Sequence, residues 1–292
     1  MTYGWSILII AIVLAALFQL GVFNSTNFAP KAQPGACQVF RPNGPGSTQF
    51  INTEGVCNGE LPEYVGSFNG QSSGSSYVSI PVLSQLNGAS GASFSAWFYL
   101  YLNSLNLNER ILLSDDCGTP VVIQIYIHTN GQVEADYGNG GGWFSVAYTP
   151  TGAITTGKWY DIVTTYLSGG GQAMYINGVL QSISYGAGSS SSTGTLGSSI
   201  PLSTGDIADS PSCSWPFAGY ISNEQIYNTS LSPPEITALY DEGIGGAPIN
   251  LQNLVGWWPL NGNANDYSGN GNDGTSTNVI FTSAWTSGYT AP

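Results

Sequence analysis

Two carboxylates, Glu134 and Asp136, are separated by a single residue, Ala135. Successive side chains alternate in a strand, so both would point to one face. Same-face neighbours can approach the roughly 5–5.5 Å separation that retaining glycoside hydrolysis needs between acid and nucleophile. Tyr137, Gly138 and Asn139 follow, so this stretch carries no further carboxylate. Two solvated acids on an exposed face is the simpler reading. The one histidine, His128, ends the run VIQIYI beside the turn Thr129-Asn130-Gly131. No Gly-x-Ser-x-Gly elbow gives it a nucleophile to activate, and it is assigned no role. Asp115 and Asp116 adjoin Cys117, and Asp206 and Asp209 shortly precede Cys213. If those cysteines bond, the four carboxylates meet on one rim and repel unless a cation sits among them. Oxygen ligands alone would select Ca²⁺; hydrated loop aspartates are the alternative. Asp266, within DYSGNGNDG, reads as a turn former. Tyr137, Trp143 and Trp215 are the candidate surfaces on which a ligand ring would stack, with Asn and Asp orienting its hydroxyls. Trp97, Trp159 and Phe217 lie in alternating patterns and are assigned to the core.

Composition narrows what these residues serve. Lys and Arg number 4 against 17 Asp and Glu, a formal charge of −13, and only 7% of residues are charged. Four cations cannot neutralise a phosphate backbone, which excludes nucleic acid as a partner. With 42% hydrophobic and 12% aromatic residues the chain has ample surface to bury, so it is not a disordered protein. Solubility through Ser, Thr, Asn and Gly rather than through charge suits an extracellular β protein. The four cysteines, Cys37, Cys57, Cys117 and Cys213, include no CxxC pair and His128 is the one histidine, so a structural zinc site is not expected. Two disulfides are expected. Of three connectivities, Cys37–Cys57 with Cys117–Cys213 is the economical one. The sequons at Asn24 and Asn228 suit glycosylation outside the cell.

The elements that must carry these groups follow from periodicity. Trp5 to Phe23 is apolar and uncharged. With Tyr3 and Gly4 it would make a helix of about 31 Å, the thickness of a bilayer core. A membrane helix or filament core over residues 3–23 is therefore expected, in preference to a cleaved signal, which needs a basic start. Residues 25–63 form a Pro/Gly/Asn-rich stalk closed by a disulfide. From about Tyr64 the chain turns to short alternating runs punctuated by glycine: Tyr77–Ile80, Phe94–Tyr99, Val121–Ile127, Lys158–Tyr166 and Ala173–Ile176. Asn177-Gly178 has the chemistry of a type I′ hairpin turn. Ser232-Pro233-Pro234-Glu235 is a capping box opening a short helix that Gly243 stops.

Two resemblances attach to these motifs. MTYGWSILIIAIVLAALFQLGVFN resembles the hydrophobic segment of archaeal pilin-like proteins with a class III signal peptide, although the family's cleavage site and Glu are absent. That resemblance implies anchoring in a membrane or assembly into pili. Phe68-Asn69-Gly70, Tyr77 to Pro81, Phe94 to Phe98, Gly157 to Val163, Met174 to Leu180 and Phe217 to Tyr240 resemble, in order, the strands and closing helix of laminin-G-like, concanavalin-type jelly rolls. This second resemblance implies two packed antiparallel sheets, and a fold that mostly binds glycans or proteins and sometimes hydrolyses glucans. The hydrolases of that superfamily carry a further Glu on the Glu134–Asp136 strand, which is missing here, so an enzyme is not expected.

The expected architecture is mainly β, an antiparallel sandwich preceded by one N-terminal apolar α-helix. Its parts are an apolar helix at 1–24, a stalk at 25–63, a jelly roll at 64–249 and a displaced strand segment at 250–292. That last segment, with Leu254 to Leu260, resembles the opening of such a domain but comes last. It could fold back on its own sandwich, begin an unfinished second domain, or donate a strand to a neighbour. Folding back is favoured. The expected role is adhesion at the cell surface through glycans or cell-surface proteins. A purely structural filament subunit and a glycoside hydrolase are the alternatives.

Overall fold

The protein is seen in a computed structural model that describes residues 37–40, 50–53, 61–71, 75–102, 110–114, 122–197, 200–206, 215–290 and 292. The apolar segment 1–24, most of the stalk, Asp115, Asp116, Asp209, Asn24 and the side chains of all four cysteines lie outside that description.

The strands, in chain order, are β1 (Cys37–Phe40), β2 (Phe50–Thr53), β3 (Val65–Asn69), β4 (Tyr77–Ile80), β5 (Gly91–Leu100) and β6 (Arg110–Ser114). There follow β7 (Ile123–Ile127), β8 (Val133–Gly138), β9 (Trp143–Tyr148), β10 (Trp159–Leu167), β11 (Gly171–Ile176) and β12 (Val179–Leu180). Last come β13 (Ser184–Ala187), β14 (Leu202–Thr204), β15 (Ala218–Tyr227), helix α1 (Pro233–Glu242), β16 (Leu254–Trp258), β17 (Thr275–Thr277) and β18 (Ile280–Thr282). The first large sheet runs β12-β11-β10-β5-β15-β3-β18, with β16 also on β15; the second runs β13-β9-β8-β7-β6-β14-β4-β17. β1 and β2 pair with each other, and the strand pairs are antiparallel.

The two sheets face each other because their strands alternate in phase. On β7, Ile123, Ile125 and Ile127 are fully buried, and on β5 so are Phe94, Ala96 and Phe98; all six join one cluster between the sheets. Burial of each such side chain contributes on the order of 1.5–3 kcal/mol. The β11–β12 turn puts Asn177 at φ 51° and Gly178 at φ 71°, the left-handed pair that a type I′ turn requires.

The segment after α1 joins both sheets. β16 pairs with β15, bringing Trp258 opposite Glu224, whereas β17 pairs with β4 and β18 with β3. Trp258 is fully buried, and its indole N–H donates to the Asn272 carbonyl at 3.0 Å. A Cβ at Gly256 would stand 2.1 Å from the Trp258 ring, so only glycine leaves room for that indole. The loop beyond β16 is organised by Asp266. One carboxylate oxygen accepts from the amides of Trp257 and Ser268, the other from the Ser268 hydroxyl and the Asn272 amide. Asp266 is thus a turn organiser, its lone pairs taken up by the loop.

The expected fold class needs one correction. Among the described residues the α-helix is α1, close to the C-terminal end, and no helix there is long and apolar enough to cross a membrane. α1 is a ten-residue surface helix that buries Ile236 and Leu239 against the first sheet's outer face. Its start is fixed by Ser232, whose amide and hydroxyl both donate to Glu235 Oε2 at 2.7 Å. Those bonds hold the Glu235 carboxyl below its ordinary range. A second cluster beside it, Val65, Trp97, Trp159, Ile244 and Trp285, places Trp97 and Trp159 on that same outer face instead of between the sheets. Phe217 lies between the sheets.

Candidate functional site

The outer face of the second sheet gathers the polar groups. β7 turns Ile123, Ile125 and Ile127 inward, so Gln124 and Tyr126 point outward and His128 follows at the strand end. β8 turns Val133, Ala135 and Tyr137 inward and Glu134 and Asp136 outward. The register sets Tyr126 against Glu134 and Gln124 against Asp136, while β9 sets Tyr148 against Glu134.

Glu134 is the centre of this group. His128 Nε2 donates to Glu134 Oε2 at 2.6 Å, and the Tyr148 hydroxyl donates to Glu134 Oε1 at 3.0 Å. The His128 and Tyr148 rings lie 5.8 Å apart. The His128 and Glu134 side chains keep 19% and 14% of their surface accessible. Asp136, behind them, is only 4% exposed. Burial, reinforced by the neighbouring Glu134 charge, pushes its carboxyl up to about 9. The face therefore offers an acceptor carboxylate oriented by two donors, in front of a buried carboxyl whose affinity for its proton is raised. Trp215 packs edge-on against Tyr126 with ring centres 5.7 Å apart, adding an aromatic wall. Trp143, half-buried, pairs in register with Gly138 at the far end of β8.

A retaining hydrolase needs two carboxyls free to act on opposite roles at the scissile bond. Here the next outward position on β8 is Gly138, and Glu134 is already engaged by His128 and Tyr148.

The expected site residues are dispersed. Tyr137 is fully buried between the sheets, its hydroxyl paired with Thr164 Oγ1 at 2.9 Å, so it supports the site from behind and offers no stacking surface. Glu134 and Asp136 are not the solvated acids expected, because the register encloses them with Gln124, Tyr126, His128 and Tyr148. His128, assigned no role, is the nearest partner of Glu134. The signal was present: I-Q-I-Y-I-H alternates, and a short turn at Thr129–Gly131 brings its polar face beside that of β8. Asp206 is 1% exposed, just after β14; its three expected companions lie outside the described residues. Among the described residues, no group of three or more His, Cys, Asp or Glu could hold a metal ion. Asn228 donates to the Gln85 carbonyl at 3.5 Å, and Asn24 is outside the description. The disulfides Cys37–Cys57 and Cys117–Cys213 also fall outside it.

Comparison with known proteins follows the same lines. The family model of the concanavalin A-like lectin/glucanases superfamily matches residues 72–237, more than half of the chain. Among solved structures, a candidate carbohydrate-binding protein from Bacteroides ovatus superposes with TM-score 0.54 at 17% identity, over 76% of this chain and 60% of that one. The chain thus spans about 60% of that protein's length. A SAP-like pentraxin from Limulus polyphemus gives TM-score 0.49 at 12% identity, over 76% and 95% of the two chains. The carbohydrate-binding module of a Ruminococcus gnavus sialidase gives 0.46 at 16%, over 61% and 96%. No curated protein sequence matches. The resemblance to archaeal pilin-like proteins is corrected by these findings: the matched family is a lectin-type one, and among the described residues no helix is long and apolar enough to cross a membrane. An apolar run of two dozen residues has too little chemical variety to specify a family, whereas ordered strand motifs over 72–237 do. By that match, and by its two antiparallel sheets, the chain belongs to the concanavalin A-like lectin/glucanases superfamily.

Proposed function

We propose that the protein recognises glycans outside the cell, as an adhesion or recognition module, through the outer face of its second sheet. The observation that carries this reading is Glu134 held between His128 and Tyr148, with Asp136 beside it. A sugar presents vicinal hydroxyls that both donate and accept. An oriented carboxylate accepts from one of them. Fixed groups of this kind cost little reorganisation on binding. Trp215 and Trp143 supply aromatic surface for the apolar face of a sugar ring. The lectin-type family and the fold shared with a candidate carbohydrate-binding protein support the same class of ligand.

The experiment is a glycan array probed with the purified protein, followed by titration of any ligand found. Glu134→Gln keeps the shape of the side chain but removes the acceptor charge, and is expected to weaken binding at least tenfold while leaving the melting temperature within a few degrees. Trp215→Ala is expected to act in the same direction. Binding that survives both changes unaltered would place the ligand elsewhere, and a blank array would favour a purely structural surface protein.

A further inference from the structure

Three buried carboxyls lack the donors that an ionised acid needs. Asp136 on β8, Asp161 on β10 and Glu224 on β15 are 4%, 1% and 1% exposed. One Asp136 oxygen and both Asp161 oxygens are buried without a hydrogen-bond partner. The two Glu224 oxygens face one hydroxyl, that of Thr204, at 3.0 and 2.9 Å, and a hydroxyl has a single proton to give. A carboxyl taken out of water stays ionised only with several donors or a cation beside it; otherwise it keeps its proton.

The groups packed around each acid supply no counter-charge. Asp161 stands opposite Trp97 of β5, and its backbone amide donates to the Asn177 side-chain oxygen at 2.9 Å. Its titratable neighbour is Tyr240 of α1, a group that can only add negative charge. Asp136 stands opposite Gln124 of β7 and Val146 of β9. The charge beside it is the like charge of Glu134, and both His128 and Tyr148 are bonded to Glu134. Glu224 pairs in register with Trp258 of β16 and meets Thr204 from β14. Of the four cations in the chain, Lys31 and Arg41 lie outside the described residues, Arg110 opens β6 opposite Ile127, and Lys158 is exposed. Among the described residues, no cation pairs with any of the three acids. Burial accordingly pushes Asp161 and Glu224 up to about 8, and Asp136 up to about 9 with the Glu134 charge adding to it. The surface leans the same way. With 17 Asp and Glu against 4 Lys and Arg, the chain repels itself at neutral pH, and that repulsion fades as the acids protonate.

We infer that the domain is built for acidic surroundings: it carries Asp136, Asp161 and Glu224 as neutral acids, is most stable well below neutrality, and loosens as these three ionise. Below the ordinary values of 3.8 and 4.5 the acids hold their protons folded or unfolded, and they cost the fold nothing. As pH rises from there towards 8, the unfolded chain gives up these protons and the folded chain does not. Each acid then draws the equilibrium towards the unfolded chain. This is the reverse of common acid denaturation, in which paired carboxylates lose their partners on protonation.

The test is urea unfolding of the full chain, followed by tryptophan fluorescence at pH 5.5, 6, 6.5, 7 and 7.5. Three protons released on unfolding raise the unfolding constant about a thousandfold per pH unit. A rise below about a hundredfold per unit would overturn the inference, since His128 alone accounts for up to about tenfold. Asp161→Asn and Glu224→Gln keep the side-chain shapes, and each is expected to take about tenfold per pH unit from the rise, His128 titrating alike in all three proteins. Folded variants that keep the full rise would overturn the inference as well. Infrared spectra in D₂O at pH 7 are expected to show the carbonyl stretch of un-ionised carboxylic acid in the folded protein and to lose it on thermal unfolding. Its absence from the folded protein would overturn the inference whether or not the variants fold.

Discussion

Glu224 provides a sharp test of how this fold treats its acids. It lies on β15 between the sheets, 1% exposed, and the Thr204 hydroxyl is within 3.0 and 2.9 Å of its two oxygens. Burial raises its carboxyl from 4.5 to about 8, and the Thr204 bond offsets only part of that. The folded protein therefore keeps a proton on Glu224 at pH values where the unfolded chain has lost it. Below about 4.5 both states are protonated and the folded state carries no penalty. As pH rises towards 8 the folded state binds more protons than the unfolded one, so stability falls with pH. Each pH unit in that window amounts to about 1.4 kcal/mol. The span from 4.5 to about 8 amounts to about 5 kcal/mol, as an order of magnitude. Glu224→Gln removes the titration and keeps the volume. Urea unfolding followed by tryptophan fluorescence at pH 5, 6, 7, 8 and 9 gives the stability difference between the two proteins. Asp136 and Asp161 titrate in both and cancel. The variant is expected to gain on the wild type by about 4 kcal/mol between pH 5 and 8, then to level off. A difference independent of pH across that range would refute the reasoning, because it would mean that Glu224 ionises as readily folded as unfolded.

Glu235→Ala removes the acceptor for the Ser232 amide and hydroxyl, and is expected to cost about 1 kcal/mol in urea unfolding. We propose that residues 250–292 complete the chain's own sandwich. A chain ending at residue 249 would leave β15 without Trp257 and Trp258 and is expected to lose cooperative unfolding, while the full chain should scatter light as a monomer; a polymer that the shorter chain cannot form would establish strand donation instead. The calcium expectation at Asp115, Asp116, Asp206 and Asp209 requires EDTA to lower the melting temperature and millimolar Ca²⁺ to restore it; identical melting curves would dismiss it.

Much of the scaffold was legible because it is written in period two. Tyr77–Ile80 coincides with β4, and Phe94–Tyr99 falls within β5. Lys158–Tyr166 overlaps β10 nearly end to end, and the capping box at Ser232 starts α1 as expected. The site was less legible, since its meaning depends on register between strands. Glu134 and Asp136 share a face by alternation alone, yet what surrounds them comes from β7 and β9. His128 looked like a turn residue until the hairpin set it beside Glu134. Tyr137 was misplaced although its phase with Val133 and Ala135 marks it as inward-facing; the glycine run after it suggested a surface loop too early. Trp97 and Trp159 are buried as expected, but against α1's flank and the C-terminal segment, which no local pattern could indicate. The N-terminal apolar run lies outside the described residues, and its reading as a pilin-like family gives way to the family match over 72–237.

The central claim is that Glu134, oriented by His128 and Tyr148, holds a sugar hydroxyl. Calorimetric titration of the best array glycan into the wild type and into His128→Ala tests it most directly. If the account holds, both remain folded by circular dichroism, and the loss of the Nε2 donor weakens binding about tenfold or more, with the loss repeated and not enlarged in the His128→Ala, Glu134→Gln double variant. Additive losses in the double variant, or unchanged affinity in His128→Ala, would contradict it.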